Sequence, residues 1–267
     1  MVVINMLVEF MSAKFKQFFF ILKQLDYKDY KKKNQGTNLG SFWNILNPML
    51  YMIILSLYYA NIVKHDEIEN FPLFVFSGLA VFNYYNTALG ISIRALVDNK
   101  DLLLRSQYIS FELIIIQKVI IAFRELMFFI FPIMLLMYVN HIYITYKTLL
   151  LIPILLITTI VIISVGICLA ICYVFFADIE YMYNTSMTLL VFLSGTFIPI
   201  SHFPNDIHGI LTYNPIFLSI YLIRNCLVYG LNSYYTAWIK LIMWAVITTI
   251  FANFIISISK NRVINKL

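Results

Sequence analysis

Charge and enzymatic motifs are what this sequence lacks most. Only 12% of its 267 residues are Asp, Glu, Lys or Arg, against about 25% in a typical soluble domain. A soluble surface needs that charge, so the deficit excludes a soluble domain. The G-x-x-x-x-G-K-[ST], G-x-S-x-G and H-E-x-x-H motifs are also absent from the sequence, which excludes nucleotide binding or catalysis through those motifs. We therefore predict no catalytic residues and no ATP site in this chain.

Cysteine is scarce as well. The three cysteines, Cys168, Cys172 and Cys226, give no disulfide framework. Cys168 and Cys172 are four residues apart on one helix face, but further ligands are absent nearby in the sequence. We interpret them as small apolar packing residues rather than as a metal site. The sequence thus predicts no metal and no cofactor in this chain.

Apolar residues are abundant, at 61% of the chain, and they recur in runs of about 20 residues, each long enough to cross a hydrocarbon layer about 30 Å thick. The predicted fold class is an all-α polytopic membrane protein with six transmembrane helices. These spans cover residues 43–62, 72–93, 114–139, 149–176, 183–200 and 235–258. They form a transmembrane domain over residues 42–267, which follows an N-terminal cytoplasmic segment over residues 1–41.

The N-terminal segment contains an amphipathic pattern over residues 11–30. At 100° per residue, one stripe of the helix carries Phe15, Phe18, Phe19, Leu22 and Leu25, while Lys16, Gln17, Lys23, Gln24 and Lys28 face away. This pattern predicts a helix that lies in the membrane interface rather than crossing the membrane.

Lysine and arginine are unequally divided between the two sides of this arrangement. If the N-terminus is inside, the inner segments carry thirteen of them and the outer segments four. The inner set is Lys14, Lys16, Lys23, Lys28, Lys31, Lys32, Lys33, Arg94, Lys100, Arg105, Lys260, Arg262 and Lys266, and the outer set is Lys64, Lys147, Arg224 and Lys240. The positive-inside rule then places both termini in the cytoplasm. It also accounts for the net charge of +6, so we do not predict binding to nucleic acid.

Two connectors are too hydrophobic for ordinary loops. Residues 201–233 contain an apolar core that is too short to cross a membrane, between prolines and glycines, and they predict two short re-entrant helices; a surface loop is the alternative. Residues 94–112 mix charges with three leucines and predict an amphipathic cytoplasmic turn that contacts a partner, or else a simple inner loop. In the third span, Lys118 and Arg124 either serve a function within the membrane or extend to its surface.

Six segments, taken together and in order, resemble one family. They are "NLGSFWNILNPML" (Asn38–Leu50), "FPLFVFSGLAVFNYY" (Phe71–Tyr85), "NKDLLLRSQYISFEL" (Asn99–Leu113), "FFADIEY" (Phe175–Tyr181), "FLSGTFIPISHFP" (Phe192–Pro204) and "YNPIFLSIYLIRNCLVYG" (Tyr213–Gly230). The chain resembles the membrane subunit, or permease, of ABC-2 type exporters that move cell-surface polysaccharide such as O-antigen, capsule or teichoic acid.

The resemblance implies an assembly and a location. A second copy of the chain and two copies of an ABC ATPase would complete the exporter, and the ATPase would bind ATP and Mg. The cargo would be a polysaccharide, linked in many members to a polyprenyl diphosphate, and the site would be the cytoplasmic (inner) membrane of a bacterium. The resemblance places Phe19, Lys23, Asp26, Asn99, Leu103 and Tyr108 at the ATPase interface. It places Pro204, Asn214, Pro215 and Arg224 at an outer gate.

Aromatic residues with few fixed charges suit a glycan channel, because sugar C–H faces pack on aromatic rings and weak, repeated binding allows passage. The candidate lining residues are Trp43, Tyr51, Tyr58, Tyr59, Phe82, Tyr84 and Tyr85; interfacial or internal packing of aromatics is the alternative. A lipid diphosphate head group would need cations near the inner leaflet, for which Arg94, Lys100, Arg105 and Arg124 are candidates.

Three other functions fit parts of the sequence. One is an ABC-2 permease for a small hydrophobic compound. Another is an integral-membrane enzyme acting on lipid-linked sugars, which would need convergent acidic residues. The third is a scaffold subunit with no transport role.

Overall fold

A computed structural model describes residues 17–31, 42–61, 70–105, 109–200, 203–228 and 235–267. In these ranges the regular elements are all helical. We number the α-helices α1 (17–31), α2 (Trp43–Asn61), α3 (Phe71–Ile93), α4 (Ala95–Asp98), α5 (Lys100–Arg105), α6 (Phe111–Val139), α7 (Leu151–Phe175), α8 (Ile179–Leu193), α9 (Asn205–Leu211), α10 (Pro215–Leu227) and α11 (Tyr235–Lys266); a 3-10 turn (Tyr146–Leu150) precedes α7.

The core of the bundle is built around α3 and α7. Helix α7 packs against α3, α6, α10 and α11, and α3 packs against α2, α6, α8 and α10. Large side chains such as Phe76, Tyr84 and Ile162 are almost fully buried between them. Helices α1, α4 and α5 lie at one end, which we call the basic end, and α9 and α10 lie at the opposite end. The two ends therefore carry the two connectors that the sequence singled out.

Large apolar side chains also cover the outside of this bundle, as expected for helices surrounded by hydrocarbon. Three helical segments are both long and apolar enough to cross a membrane: Phe111–Val139, Tyr146–Phe175 and Tyr235–Lys266. Two shorter apolar stretches occur at Ile45–Tyr58 and Pro215–Leu227. The chain is therefore a multi-pass, all-helical membrane protein over its described residues, and the number of six crossings stays a prediction.

The predicted spans agree with the bounds of the first four long helices to within three residues. The fifth prediction, 183–200, is wrong at its end, because α8 stops at Leu193. Gly195 follows with a φ of 66°, a left-handed conformation that commonly terminates helices. The sixth predicted span lies within α11, which continues past residue 258 to Lys266, because its polar final turns contain no proline or glycine that would stop a helix.

Both unusual connectors contain short helices. The 94–112 connector forms α4 and α5, and Ser110 then caps α6 by accepting a hydrogen bond from the Leu113 amide at 3.3 Å. The 201–233 connector contains α9 and α10, of which α10 is buried along most of its length. Two helices are thus present where two were predicted, while their re-entrant path in a membrane stays a prediction.

The described part of the amphipathic segment is helical throughout, as predicted; residues 11–16 lie outside the described ranges. Leu22 and Leu25 are buried, and Phe18 is half-buried beside them. Phe19 is exposed, and its predicted place on a stripe that faces the membrane interface stays a prediction. The face of α1 that contacts the bundle carries Phe18, Ile21, Leu22 and Leu25, whereas Phe19 and Phe20 are exposed.

Candidate transport and partner-binding site

Helix α1 is fastened to the bundle by a small apolar cluster. Leu22 and Leu25 pack on Leu113, which lies in the first turn of α6. The half-buried side chains around this contact are Phe18, Ile21, Leu102 and Ile116. Since Leu102 belongs to α5, α1 touches both the start of α6 and the 94–112 connector.

Acidic residues on α1 then pair with basic residues on α6. Asp29 accepts hydrogen bonds from Lys118 Nζ at 2.5 Å and from Gln117 Nε2 at 3.0 Å. Asp26 pairs with Arg124 one turn away, and the Arg124 guanidinium also lies 5.6 Å from the centre of the Tyr30 ring. Lys118 and Arg124 therefore contact α1 in place of extending freely to the membrane surface.

The environment of Asp29 favours its charged form. Partial burial raises the pKa of this carboxyl, but the hydrogen bond and positive charge of Lys118, the hydrogen bond of Gln117 and the charge of Lys28 together outweigh it. The pKa of Asp29 is consequently lowered from its ordinary value. At neutral pH this contact is a charged pair.

A further contact joins α1 to the connector. Lys28 Nζ donates to Asn99 Oδ1 at 3.4 Å, and the amide of Asn99 donates to the Ala95 carbonyl at 2.9 Å. Asn99 is buried by these contacts. Helix α1, the α4–α5 connector and the start of α6 thus form one surface at the basic end, which we call the basic-end platform.

The predicted ATPase-interface residues occupy different places on this platform. Phe19 and Lys23 are exposed on α1, and Leu103 is half-buried on α5. Asp26 and Asn99 make contacts within the chain. Tyr108 lies outside the described residues. The assignment of all six to a partner stays a prediction.

The four cations proposed for a lipid diphosphate also differ in their surroundings. Arg94 Nε lies 2.6 Å from Glu180 Oε2, at the start of α8, and its guanidinium lies 5.9 Å from the Tyr173 ring centre. Arg124 is paired with Asp26. Lys100 and Arg105 are exposed on α5. Arg94 is exposed as well, so of these four Arg124 is the least accessible to a head group.

Three predicted channel residues are buried within the subunit. Tyr84 and Tyr85 are each 2% exposed, and Phe82 is also buried. The Tyr84 hydroxyl lies 2.9 Å from Thr159 Oγ1, and the Tyr85 hydroxyl lies 3.0 Å from Ser219 Oγ. The Tyr84 and Tyr85 hydroxyls thus join α3 to α7 and α10 within the subunit, and the role of these three residues as channel lining stays a prediction.

The other predicted aromatics lie on the outside of α2. Trp43, Tyr51 and Tyr58 are exposed, and the side chain of Tyr59 is outside the described residues. Their role as lining residues stays a prediction.

Helix α8 carries a polar face that the sequence predictions missed. Tyr181, Asn184, Thr185 and Thr188 are all exposed and follow a spacing of three and four residues, which places them on one helix face. The two threonine hydroxyls donate to the carbonyls four residues earlier. The signal was readable in "YMYNTSMT" as uncharged polar residues at helical spacing inside a predicted span.

At the opposite end, Arg224 differs from the other predicted gate residues. It is 6% exposed, and it donates to the Phe74, Gly195 and Thr196 carbonyls at 3.0, 2.6 and 2.6 Å. Asn214 caps α10 by accepting from the Ile216 amide at 2.9 Å, and Pro215 begins that helix. Pro204 is exposed before α9.

An apolar cleft of about 690 Å³ lies between α7 and α8. Its walls include Val161, Val165 and Leu169 on α7 and Met182, Met187 and Leu190 on α8. At the opposite end it is bordered by Trp244, whose indole Nε1 donates to the Tyr213 carbonyl at 2.7 Å. Helix α8 therefore stands partly away from the bundle.

Comparison with known proteins gives the context for this site. Residues 17–228 match the ABC-2 type transporter family. Over 88 residues the chain is 33% identical to the O-antigen export system permease protein RfbA of Myxococcus xanthus, an alignment that covers 33% of this chain and 34% of that relative. The match thus spans about a third of the curated relative's length. Because the family match covers most of the sequence, this chain belongs to the ABC-2 type transporter family.

Proposed function

We propose that this chain is the membrane subunit of an ATP-driven exporter of a cell-surface polysaccharide such as O-antigen, capsule or teichoic acid. In this proposal it crosses the cytoplasmic membrane of a bacterium six times, with both termini in the cytoplasm. It pairs with a second copy of itself and with two copies of an ABC ATPase, which bind ATP and Mg. The cargo is carried on a polyprenyl diphosphate.

The observation that carries the proposal is the polar face of α8. Asn184, Thr185 and Thr188 are exposed on α8, whereas the exposed side chains of α7 and α11 are mainly apolar. Polar side chains in membrane helices face a bundle interior or a wet cavity rather than lipid. We infer that this face of α8 borders the cargo pathway once the second copy is in place.

The chemistry of this face suits a glycan. Hydroxyl and amide groups exchange hydrogen bonds with sugar hydroxyls, and the absence of formal charge on these four side chains avoids trapping the chain during passage. Trp43, Tyr51 and Tyr58 on α2 supply exposed aromatic rings of the kind on which sugar C–H faces pack. The name of the Myxococcus relative, which refers to O-antigen export, supports the same class of cargo.

The basic-end platform supports the proposed ATPase contact. It joins α1 to α4, α5 and α6 through the contacts described above, and its exposed side chains include Phe19, Lys23 and Arg105. A rigid platform of this kind transmits force, because movement of one of its helices must move the others.

The test replaces Asn184 with Leu and Thr188 with Val, which removes the polar groups and keeps the side-chain size. We expect less polysaccharide on the cell surface and accumulation of lipid-linked glycan inside, with unchanged amounts of the permease–ATPase complex. The matched control is Leu189→Val, an exposed apolar change on the same helix. Normal surface glycan in the double variant would contradict the assignment of this face.

A second candidate function is export of a small hydrophobic compound. The observation that favours it is the apolar cleft between α7 and α8. Filling the cleft with Val165→Trp distinguishes the two. If the polar face carries the cargo, glycan export should be unchanged in this variant. Loss of resistance to hydrophobic compounds, with a normal amount of surface glycan, would favour the second function.

A further inference from the structure

The Arg224 side chain holds together three parts of the chain. From α10 it reaches the Phe74 carbonyl in the first turn of α3, and the Gly195 and Thr196 carbonyls that follow α8. Its guanidinium also lies 3.5 Å from the centre of the Phe74 ring. Gly78 leaves the space for it, because a Cβ atom at that position would lie 2.2 Å from Arg224 Nη2.

The turn after α8 needs these hydrogen bonds. Ser194 and Thr196 are fully buried, and their hydroxyl oxygens lie 2.6 Å apart. Gly195 has a φ of 66° and lies under the Phe217 ring, so the helical hydrogen bonds cannot continue. Backbone carbonyls freed at membrane depth must find donors within the protein. Arg224 supplies donors to two of them.

The first turn of α8 is less buried than the Ser194–Thr196 turn that follows the helix, and Tyr183, one turn further on, anchors it to α3. Along α8 only Tyr183 and Met187 are buried, and the apolar cleft separates much of the helix from α7. Near its start, Glu180 pairs with Arg94, which is more than half exposed, and exposed pairs contribute little because solvent screens them. The hydroxyl of Tyr183 donates to the Asn86 carbonyl at 2.8 Å.

We propose that Arg224 is a positioning residue that fixes the outer end of α8, so that α8 moves about the Ser194–Thr196 turn while its cytoplasmic end swings. The swing would admit cargo from the cytoplasmic side, and this part of the inference rests on the proposed function. The pivot is inferred from the buried, Arg224-bound turn at the outer end and the more exposed first turn at the other, and the swing must break the Tyr183–Asn86 hydrogen bond.

Two distances measured by double electron–electron resonance test the pivot. Spin labels at Tyr181 and Ile120 report the cytoplasmic end of α8 against α6, and labels at Leu193 and Tyr138 report its outer end. All four positions are exposed. The three native cysteines are replaced by alanine, and labelled chains are diluted with unlabelled chains so that only distances within one subunit contribute.

In the unmodified background we expect the cytoplasmic pair to show a broad distance distribution and the outer pair a narrow one. On trapping the complex with ATP, the cytoplasmic pair should shift by more than its width, while the outer pair stays in place. Equal widths and equal shifts for the two pairs would overturn the pivot.

Two variants remove the clamp in independent ways. Arg224→Lys keeps the charge but loses the fork of donors, and Gly78→Ala displaces the guanidinium without changing it. The control is Gly209→Ala, where an added Cβ meets nothing within 4 Å. Both clamp variants should broaden the outer distribution, and the control should leave it narrow. A narrow outer distribution in Gly78→Ala would refute the role of Arg224, even if Arg224→Lys fails to fold.

The outcomes separate the pivot from the proposed function. Distribution widths are measured on the chain alone in nanodiscs, so they report the pivot without an ATPase. Failure of any ABC ATPase to bind would contradict the proposed function. The widths of the distance distributions would still test the pivot.

Discussion

The charged contact between α1 and α6 predicts how tightly the basic-end platform is closed. Asp29→Asn removes the charge that Lys118 contacts at 2.5 Å. The side chains of Lys118 and Asp29 are 12% and 21% exposed. Solvent therefore screens the pair only partly, and its strength is intermediate between those of surface and buried ion pairs. A hydrogen bond to a charged group contributes about 1.5–3 kcal/mol. Each 1.4 kcal/mol changes an equilibrium constant about tenfold, so the fraction of chains with α1 undocked should rise by roughly ten- to a hundredfold.

The assay is the labelling rate of a cysteine placed at Leu22, with the native cysteines replaced by alanine. Leu22 is buried against Leu113, so a hydrophilic maleimide reacts only with the undocked form. Asp29→Asn should accelerate labelling by the factor above. Asp101→Asn, which removes an exposed carboxylate on α5, is the control and should leave the rate unchanged.

A double-mutant cycle with Lys118→Met completes the test. If the two side chains act through each other, the double variant should label little faster than either single variant. Additive effects of the two changes, or an unchanged rate in Asp29→Asn, would refute the reasoning.

Three further predictions follow from the site. Since docking of α1 lowers the pKa of Asp29, this carboxylate should stabilise the docked form fully above the ordinary carboxyl pKa of 3.8 and lose that effect as pH falls through the lower, docked pKa. Spin labels at Gln24 and Ile120 should therefore keep one distance at pH 5 and separate only below about pH 4. Separation already at pH 5 would contradict this prediction. Tyr51→Ala with Tyr58→Ala should reduce surface polysaccharide by removing two exposed rings, whereas Ile54→Ala on the same helix should not; equal effects would indicate packing alone. Arg94→Glu should stall export with lipid-linked glycan inside, and adding Glu180→Arg should not restore it; full restoration in the exchanged pair would assign Arg94 to the ion pair in place of a head group.

The sequence predicted the helices better than it predicted the faces of those helices. Apolar runs bounded by polar turns located α3 and α6 to within three residues, because a long helix in hydrocarbon must be apolar along most of its length. That same uniformity hides which side is buried. Tyr84 and Tyr85 were predicted to line a channel, yet their partners Thr159 and Ser219 lie on α7 and α10, and no local pattern identifies such partners.

The orientation drawn from the charges as a group stays a prediction, and the partners of individual charges were missed. The count of Lys and Arg gave the basic end, but it did not reveal that Asp26 and Asp29 on α1 face Arg124 and Lys118 on α6. The information was present as two acidic residues three positions apart on α1 and two basic residues on α6. It became specific only once the fold brought residues about 90 positions apart together.

The shortness of α8 has a consequence for the work of export. Its 15 residues rise only about 22 Å, less than the thickness of about 30 Å that a bilayer core presents. In the proposed six-crossing arrangement, the bilayer beside this helix must become thinner to match it. A glycan that moves along α8 would then cross a thinner hydrocarbon layer than elsewhere in the membrane, and thicker bilayers should lower the rate of export.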